Sequence, residues 1–503
     1  MNQRKIGVIL SYFYTILHII TNLIYVPLLL KLIGKTEYGL YQMVGSMMAY
    51  ITIMESLLSS GILRYYCKYN NLKDEEKKEN ILAISQKIYR ILSLIMIGLG
   101  FLFIYIFRKI YINNLNSLEL FHATIMMVLL IINIVINLNT YIYTAVIIAN
   151  EKFIFIRLVS IFTLLLQPIL VLIVIERKPY AVYVIIIQLI TNFFICILKK
   201  YYCINRLKVK VKYHKKDIEF VKHLFTFSAG IFMAAIADQI FWKADQLIIG
   251  KLLNTEFVAI YAIGAQIYLN YPAIGTAISS VFMNRLSELY DKEKNIKEIS
   301  DLFIRVGRLS FILLMFVLTA FILYGKEFIY IWTGSEYEDA YYIALVVMIP
   351  FTIDIIQNLG LSILQIMNKY SFRGKMYLFM AILNIISTIW LVKYMGIIGA
   401  AISTSFSMLI GNGFIMNYYY RKIGLDINSF WKQILRITPS VIISLLIGYL
   451  VSLLEIPNKY ISFTLHIIEY VIIYFVFVYC FGTNQYEKNL IYKILIKLRI
   501  LKC

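Results

Sequence analysis

Arg157–Leu198 reads RLVSIFTLLLQPILVLIVIERKPYAVYVIIIQLITNFFICIL. Two unbroken apolar runs, 157–175 and 180–198, flank the short charged stretch Glu176–Pro179. An α-helix needs about 20 predominantly apolar residues to cross a hydrocarbon layer. The strands of an outer-membrane barrel would instead alternate over about 10 residues. The stretch therefore predicts two membrane helices joined by a tight turn.

The pattern continues in both directions. Fourteen segments of this kind are predicted, at approximately 6–30, 40–63, 88–107, 118–148, 157–175, 180–198, 224–249, 258–282, 309–324, 340–365, 376–392, 396–418, 437–454 and 461–482. Of the 503 residues, 61% are hydrophobic and 15% charged, against roughly 45–50% and about 25% in soluble domains. The mean hydropathy is +0.76. Apolar residues run from end to end, which excludes both a soluble enzyme and a soluble protein with a single anchor. The fold class expected is an all-α polytopic membrane protein. The first segment is too long for a signal-peptide core and has no small-x-small cleavage site, so it is read as an uncleaved span.

The net charge of +21 does not signal nucleic acid, because Lys and Arg lie in short runs between the spans. With the N-terminus inside, the inner segments carry 38 of them and the outer loops 10. That asymmetry predicts cytoplasmic N- and C-termini. The longest outer loop expected is Gly325 to Asp339, too short for a folded domain. Cys67, Cys196, Cys203, Cys480 and Cys503 show no zinc or redox spacing, and no disulfide is expected.

Sliding the chain on itself by 218 residues superposes several landmarks. Lys87 and Arg90 meet Arg305 and Arg308, Arg108 meets Lys326, Asn150 meets Asn368, and Arg157 meets Lys375. With a one-residue gap, Thr36–Tyr41 (TEYGLY) meets Thr255–Tyr261 (TEFVAIY), and Arg64 falls near Arg285. Two parallel six-helix lobes are expected, 1–210 and 211–423. Helices thirteen and fourteen (424–485) and a basic cytoplasmic tail (486–503) follow. Parallel repeats typify transporters with a site between the halves.

No Walker A loop, HExxH, Asp-x-Asp or His/Cys metal spacing occurs, so neither a metal nor another cofactor is expected. The acids Glu336, Glu338 and Asp339 read as a solvated loop face. The informative groups are polar residues inside spans, which are costly in hydrocarbon and commonly functional. On the seventh span Asp238, Gln239, Trp242, Lys243, Asp245 and Gln246 share a sector of about 160°. Asp238 lies mid-span, as an ion-binding acid or a hydrogen-bonded structural one. Lys243 either meets an anion or snorkels outward, and Asp245 lies near the helix end. On the first span Ser11, Thr15, His18, Asn22 and Tyr25 fall within about 40° of one line, a stripe expected to face the bundle interior. Glu55 in the second span and Asp354 in the tenth, beside Gln357 and Asn358, are further acids. Arg64 and Arg285 end the second and eighth spans, as helix-end anchors or as mouth cations.

Four stretches carry a family resemblance: Leu28–Gln42 (LLLKLIGKTEYGLYQ), Lys243–Ile267 (KADQLIIGKLLNTEFVAIYAIGAQI), Gly325–Ala340 (GKEFIYIWTGSEYEDA) and Met395–Thr404 (MGIIGAAIST). Over about residues 1–420 the chain resembles the Wzx-type polysaccharide-biosynthesis flippases of the multidrug/oligosaccharidyl-lipid/polysaccharide exporter superfamily. The resemblance implies a V-shaped bundle around a central cavity, and as substrate an undecaprenyl-diphosphate-linked oligosaccharide moved between leaflets. Family members often carry Asp where this chain has Glu55, and Pro where it has Asn284. On this reading Lys243, His18, Arg64 and Arg285 meet the diphosphate. Asn22, Tyr25, Trp242, Gln239 and Gln246 complete the substrate surface. Asp238, Glu55, Asp245 or Asp354 binds a coupling H⁺ or Na⁺. The expected partners are the lipid-linked glycan, a polysaccharide polymerase and glycosyltransferases, with the flippase itself acting as a monomer. A lipid II flippase, a multidrug exporter of the same fold, and a membrane polymerase or ligase are the alternatives.

Overall fold

The computed structural model describes residues 3–57, 59–293, 295–454 and 457–497, so Cys503 and the end of the basic tail lie outside the described residues. The side chains of residues 54–60, Glu55 among them, and of 226–231 also lie outside them. The fold is all-α, with no strand among the described residues. Eleven helices among these residues are long and apolar enough to cross a membrane. The chain is a multi-pass membrane protein.

Several boundaries differ from those expected, each for a local reason. The first expected span and most of the second lie in one run, Gln3–Leu57, bent at Gly34, whose φ of 76° is left-handed backbone that glycine tolerates best. The eleventh and the first half of the twelfth likewise share Ser371–Met408, bent at Gly396 with φ 60°. The expected seventh span falls within Ile218–Leu252. The third expected span, 88–107, is the middle of a longer helix, Glu75–Tyr111. Its first turn is charged, so hydropathy misses it, but Asp74 caps it by accepting from the Lys77 amide at 3.0 Å. That amide holds the Asp74 carboxyl below its ordinary pKa. Ile296–Thr333 extends the ninth in the same way, capped by Asn295.

The Gly325–Asp339 loop is correspondingly shorter than expected. Helix continues to Thr333, and Gly334 (φ 98°) leads into a single 3₁₀ turn, Ser335–Tyr337. Glu336 is exposed and Glu338 pairs with Lys326 at 3.3 Å. The turns containing Asn150 and Asn368 close alike. Lys152 N–H donates to the Ile147 carbonyl at 3.1 Å, and Lys369 N–H to the Leu364 carbonyl at 2.8 Å. Glu151 and Asn368 are the left-handed residues of the two turns.

The chain divides into two compact units, 1–262 and 263–503. In the first, a Cβ on Gly39 would lie 1.7 Å from the Thr255 carbonyl oxygen, so glycine sets how closely these helices approach. In the second, Ile427–Ser452 and Lys459–Gly482 are followed by the short helix Gln485–Lys497. Arg308 and Glu487, both 3% exposed at the side chain, anchor that end. The guanidinium Nε donates to Glu487 Oε1 at 2.7 Å and Nη2 to Oε2 at 2.9 Å. The Gln433 and Gly482 carbonyls accept its other protons, at 2.8 and 3.0 Å.

Two stability predictions follow from these contacts. Gly39→Ala should lower stability by about 1–3 kcal/mol through overpacking against backbone. Gly45→Ala, with nothing within 4 Å of its new Cβ, should be neutral or gain up to about 1 kcal/mol. Thermal unfolding in detergent distinguishes them; equal midpoints would refute the close approach. Glu487→Ala should cost about 3–5 kcal/mol by stranding a buried cation, and adding Arg308→Met should recover part of the loss.

Candidate functional site

The first-span stripe resolves into two kinds of residue. Ser11 donates to the Gly7 carbonyl at 2.7 Å and Thr15 to the Ser11 carbonyl at 3.0 Å. Both hydroxyls are therefore satisfied within their own helix. His18 and Asn22, one turn apart, contact each other at 3.2 Å. Both are half-buried, while Ile16, Ile19, Ile20 and Leu23 beside them are exposed. Tyr25 is also half-buried, close to Tyr38 and Tyr41.

The Ile218–Leu252 stripe divides more sharply. Asp245 is 1% exposed and accepts from the Tyr261 hydroxyl at 2.7 Å. Gln246 is buried and accepts from the Ser46 hydroxyl. These two polar groups are engaged in holding helices together. Within the two turns before Asp245, Asp238, Gln239, Trp242 and Lys243 are half-buried. Trp242 packs edge-on against Phe241 with ring centroids 4.8 Å apart. Gln239 Oε1 is buried without a hydrogen-bond partner among the described residues. Lys243 makes no hydrogen bond or ion pair among the described residues. A half-buried ammonium and a buried amide oxygen thus retain unused polar capacity on one helix.

The remaining candidates are dispersed. The Glu55 side chain lies outside the described residues. Arg64 is exposed on Ser59–Asn71. Arg285 is exposed and pairs with Glu288 at 2.9 Å one turn on, an arrangement of little energetic weight. Asp354 is half-buried within electrostatic reach of Arg373 and Tyr420. Arg373 donates to the hydroxyls of Tyr370 and Tyr377 at 3.3 and 3.2 Å, so the acid has a cationic neighbour that the sequence alone did not single out. Gln357 beside it is buried, and neither its side-chain oxygen nor its nitrogen has a partner among the described residues.

Two further polar centres were also missed. Glu37 accepts from His122 at 2.8 Å and from the Ala181 amide at 2.8 Å, joining three helices of the first unit. In the second unit Asn384 Oδ1 accepts from Ser403 at 2.8 Å and Thr388 at 3.2 Å, all three wholly buried. Nothing in the linear pattern brings these partners together, although an uncharged Asn inside an apolar run is a signal for helix-to-helix bonding. Among the described residues, no group of three or more His, Cys, Asp or Glu side chains is placed to hold a metal ion.

Residues 28–342 match the model of a family described as polysaccharide biosynthesis protein. The chain belongs to the polysaccharide biosynthesis protein family. No curated protein matches it significantly. Among solved structures, this family member is similar to the lipid II flippase MurJ in its inward closed conformation. The TM-score is 0.71 and the identity 16%, with 98% of this chain and 99% of that one covered. It is also similar to an inward-facing multidrug resistance MATE family transporter of the MOP superfamily, with TM-score 0.66, 11% identity and coverage of 82% and 96%. A MOP superfamily transporter from Pyrococcus furiosus gives TM-score 0.51 and 13% identity, covering 84% and 94%. The fold is therefore MurJ/MATE-like.

The division of the Ile218–Leu252 stripe is testable. Tyr261→Phe removes a charge-assisted bond to a buried carboxylate and should destabilise the protein by about 1.5–3 kcal/mol. Lys243→Ala should leave the thermal midpoint nearly unchanged. A large loss from Lys243→Ala would make that lysine part of the packing.

Proposed function

We propose that this family member is a flippase that moves an undecaprenyl-diphosphate-linked oligosaccharide from the inner to the outer leaflet of a bacterial cytoplasmic membrane. The observation that carries the reading is Lys243, a half-buried ammonium that no described residue neutralises. An uncompensated cation in hydrocarbon is costly unless a ligand or water completes it. A diphosphate is such a ligand. Gln239, Trp242, His18, Asn22 and Tyr25 supply amide, imidazole and aromatic groups suited to sugars. Arg64 and Arg285 offer exposed cations for the first encounter.

A second feature supports a lipid-linked cargo. In the second unit an apolar groove of about 960 Å³ is lined by Ile278, Phe282, Leu313, Ile472, Phe475 and Val476 among others, with Thr483 and Glu487 also at its wall. Such a groove suits a polyprenyl chain. In this reading both termini are cytoplasmic, the protein works as a monomer by alternating access, and no bond of the substrate is made or broken. Asp238 is the favoured site for a coupling H⁺ or Na⁺. Glu55, Asp245 and Asp354 are the other acids on the spans that offer such a site. The MurJ-like fold over nearly the whole chain keeps a lipid II cargo as the second reading. A polymerase or ligase is disfavoured by the single short turn where the longest outer loop was expected.

The test is binding and leaflet exchange in reconstituted vesicles. Lys243→Ala should weaken binding of the diphosphate-linked glycan roughly ten- to a hundredfold, the weight of one charge-assisted phosphate contact. Asp238→Asn should bind normally yet lose exchange driven by an ion gradient. Normal binding by the first variant together with normal exchange by the second would refute the assignment. Preferential competition by lipid II would select the second reading.

A further inference from the structure

The segment Lys199–Lys216 (KKYYCINRLKVKVKYHKK) carries eight Lys or Arg and no acid. It follows the helix Ala181–Tyr201 through one wide turn, Tyr202–Arg206, and then leaves helical geometry until Ile218. The turn is closed by Leu207 N–H donating to the Tyr202 carbonyl at 3.1 Å and Val209 N–H to the Cys203 carbonyl at 3.0 Å. Beyond it the side chains alternate. Lys208, Lys210 and Lys212 are exposed, while Leu207, Val209 and Val211 are half-buried.

The far end is fastened. Buried Asn80 accepts from the His214 amide at 2.9 Å and the Lys215 amide at 3.1 Å, and Glu79 meets the His214 ring at 2.8 Å. The lysines are thus displayed from a segment tied at both ends. Three large side chains lie beside them exposed: Tyr201 at 61%, Ile204 at 46% and Tyr213 at 55%. Tyrosines of this kind favour the membrane–water boundary, with the ring in the interface and the hydroxyl wet.

We propose that Lys199–Lys216 is a docking surface for the head groups of anionic phospholipids. Basic clusters of this size next to a membrane helix collect anionic lipid, and each lysine contributes roughly a fivefold preference near the surface. The exposed Tyr201, Ile204 and Tyr213 favour a lipid surface over an acidic soluble protein, because they suit the interface and would otherwise stand in water. The assignment is independent of what the protein transports.

The experiment uses the full chain in phosphatidylcholine vesicles containing either photoactivatable phosphatidylglycerol or the matching photoactivatable phosphatidylcholine. Cross-linked peptides are mapped by mass spectrometry. Adducts on 199–216 should favour phosphatidylglycerol by tenfold or more at low salt. That preference should collapse in 0.5 M salt, because charge contacts at an exposed surface are screened. The triple variant Lys208→Gln/Lys210→Gln/Lys212→Gln should lose most of it. An equal-charge control at exposed positions elsewhere, Lys369→Gln/Lys375→Gln/Lys422→Gln, should retain it. Equal labelling by the two lipids, an equal loss in the control, or shielding of the segment by an acidic protein without lipid preference would each overturn the proposal. The salt response of the unmodified chain decides the matter if the triple variant does not fold.

Discussion

Inside a hydrocarbon layer no water completes an open peptide group, so each amide of a span must be matched within the chain itself. This constraint explains why the protein is almost entirely helix and why its helices run past the apolar windows that announce them. Ending Glu75–Tyr111 at the hydrocarbon edge would open a turn of amides there. The charged first turn carries that opening out to Asp74, where a carboxylate and water can close it. The same demand reaches the side chains. Ser11, Thr15, Thr124 and Thr163 return their hydroxyl protons to their own helix, four residues back. Groups too long or too charged for that must find a neighbour, as Asp245 finds Tyr261 and Arg308 finds Glu487.

Polar residues on one helix face are therefore of two kinds that share one appearance in the sequence. Asp245 and Gln246 lie in the same sector as Gln239 and Lys243, yet the first pair is consumed by packing and the second is not. Those with unspent capacity are where a passing ligand gains most, since a new bond there replaces no existing one.

The membrane class and the approximate position of the spans were legible because length and hydropathy are local quantities. The ends were not, since the extensions at Glu75 and Ile296 are polar and held by caps. Neither was the merging of neighbouring spans through Gly34 and Gly396, where a left-handed glycine lets the chain turn with almost no loop. The angular sector of the seventh-span polar groups was correctly local, but their partners are not local. Ser46 is 200 residues from Gln246, and Glu37 is 85 from His122. Arg373 carries no signal of its own in the sequence, because its tyrosine neighbours and Asp354 become visible only when the helices pack.

The Arg308–Glu487 pair also places a condition on synthesis. The acid is 179 residues downstream of its cation. At about 5–20 residues per second, Arg308 waits roughly ten to forty seconds before its counter-ion is made. Until then the base of Ile296–Thr333 holds a guanidinium that must stay hydrated, and the groove wall containing Glu487 does not exist. The second unit is thus sealed by a helix made long after the one it closes on. A chain that stopped before Glu487 would leave an open seam with the Arg308 charge unpaired in it.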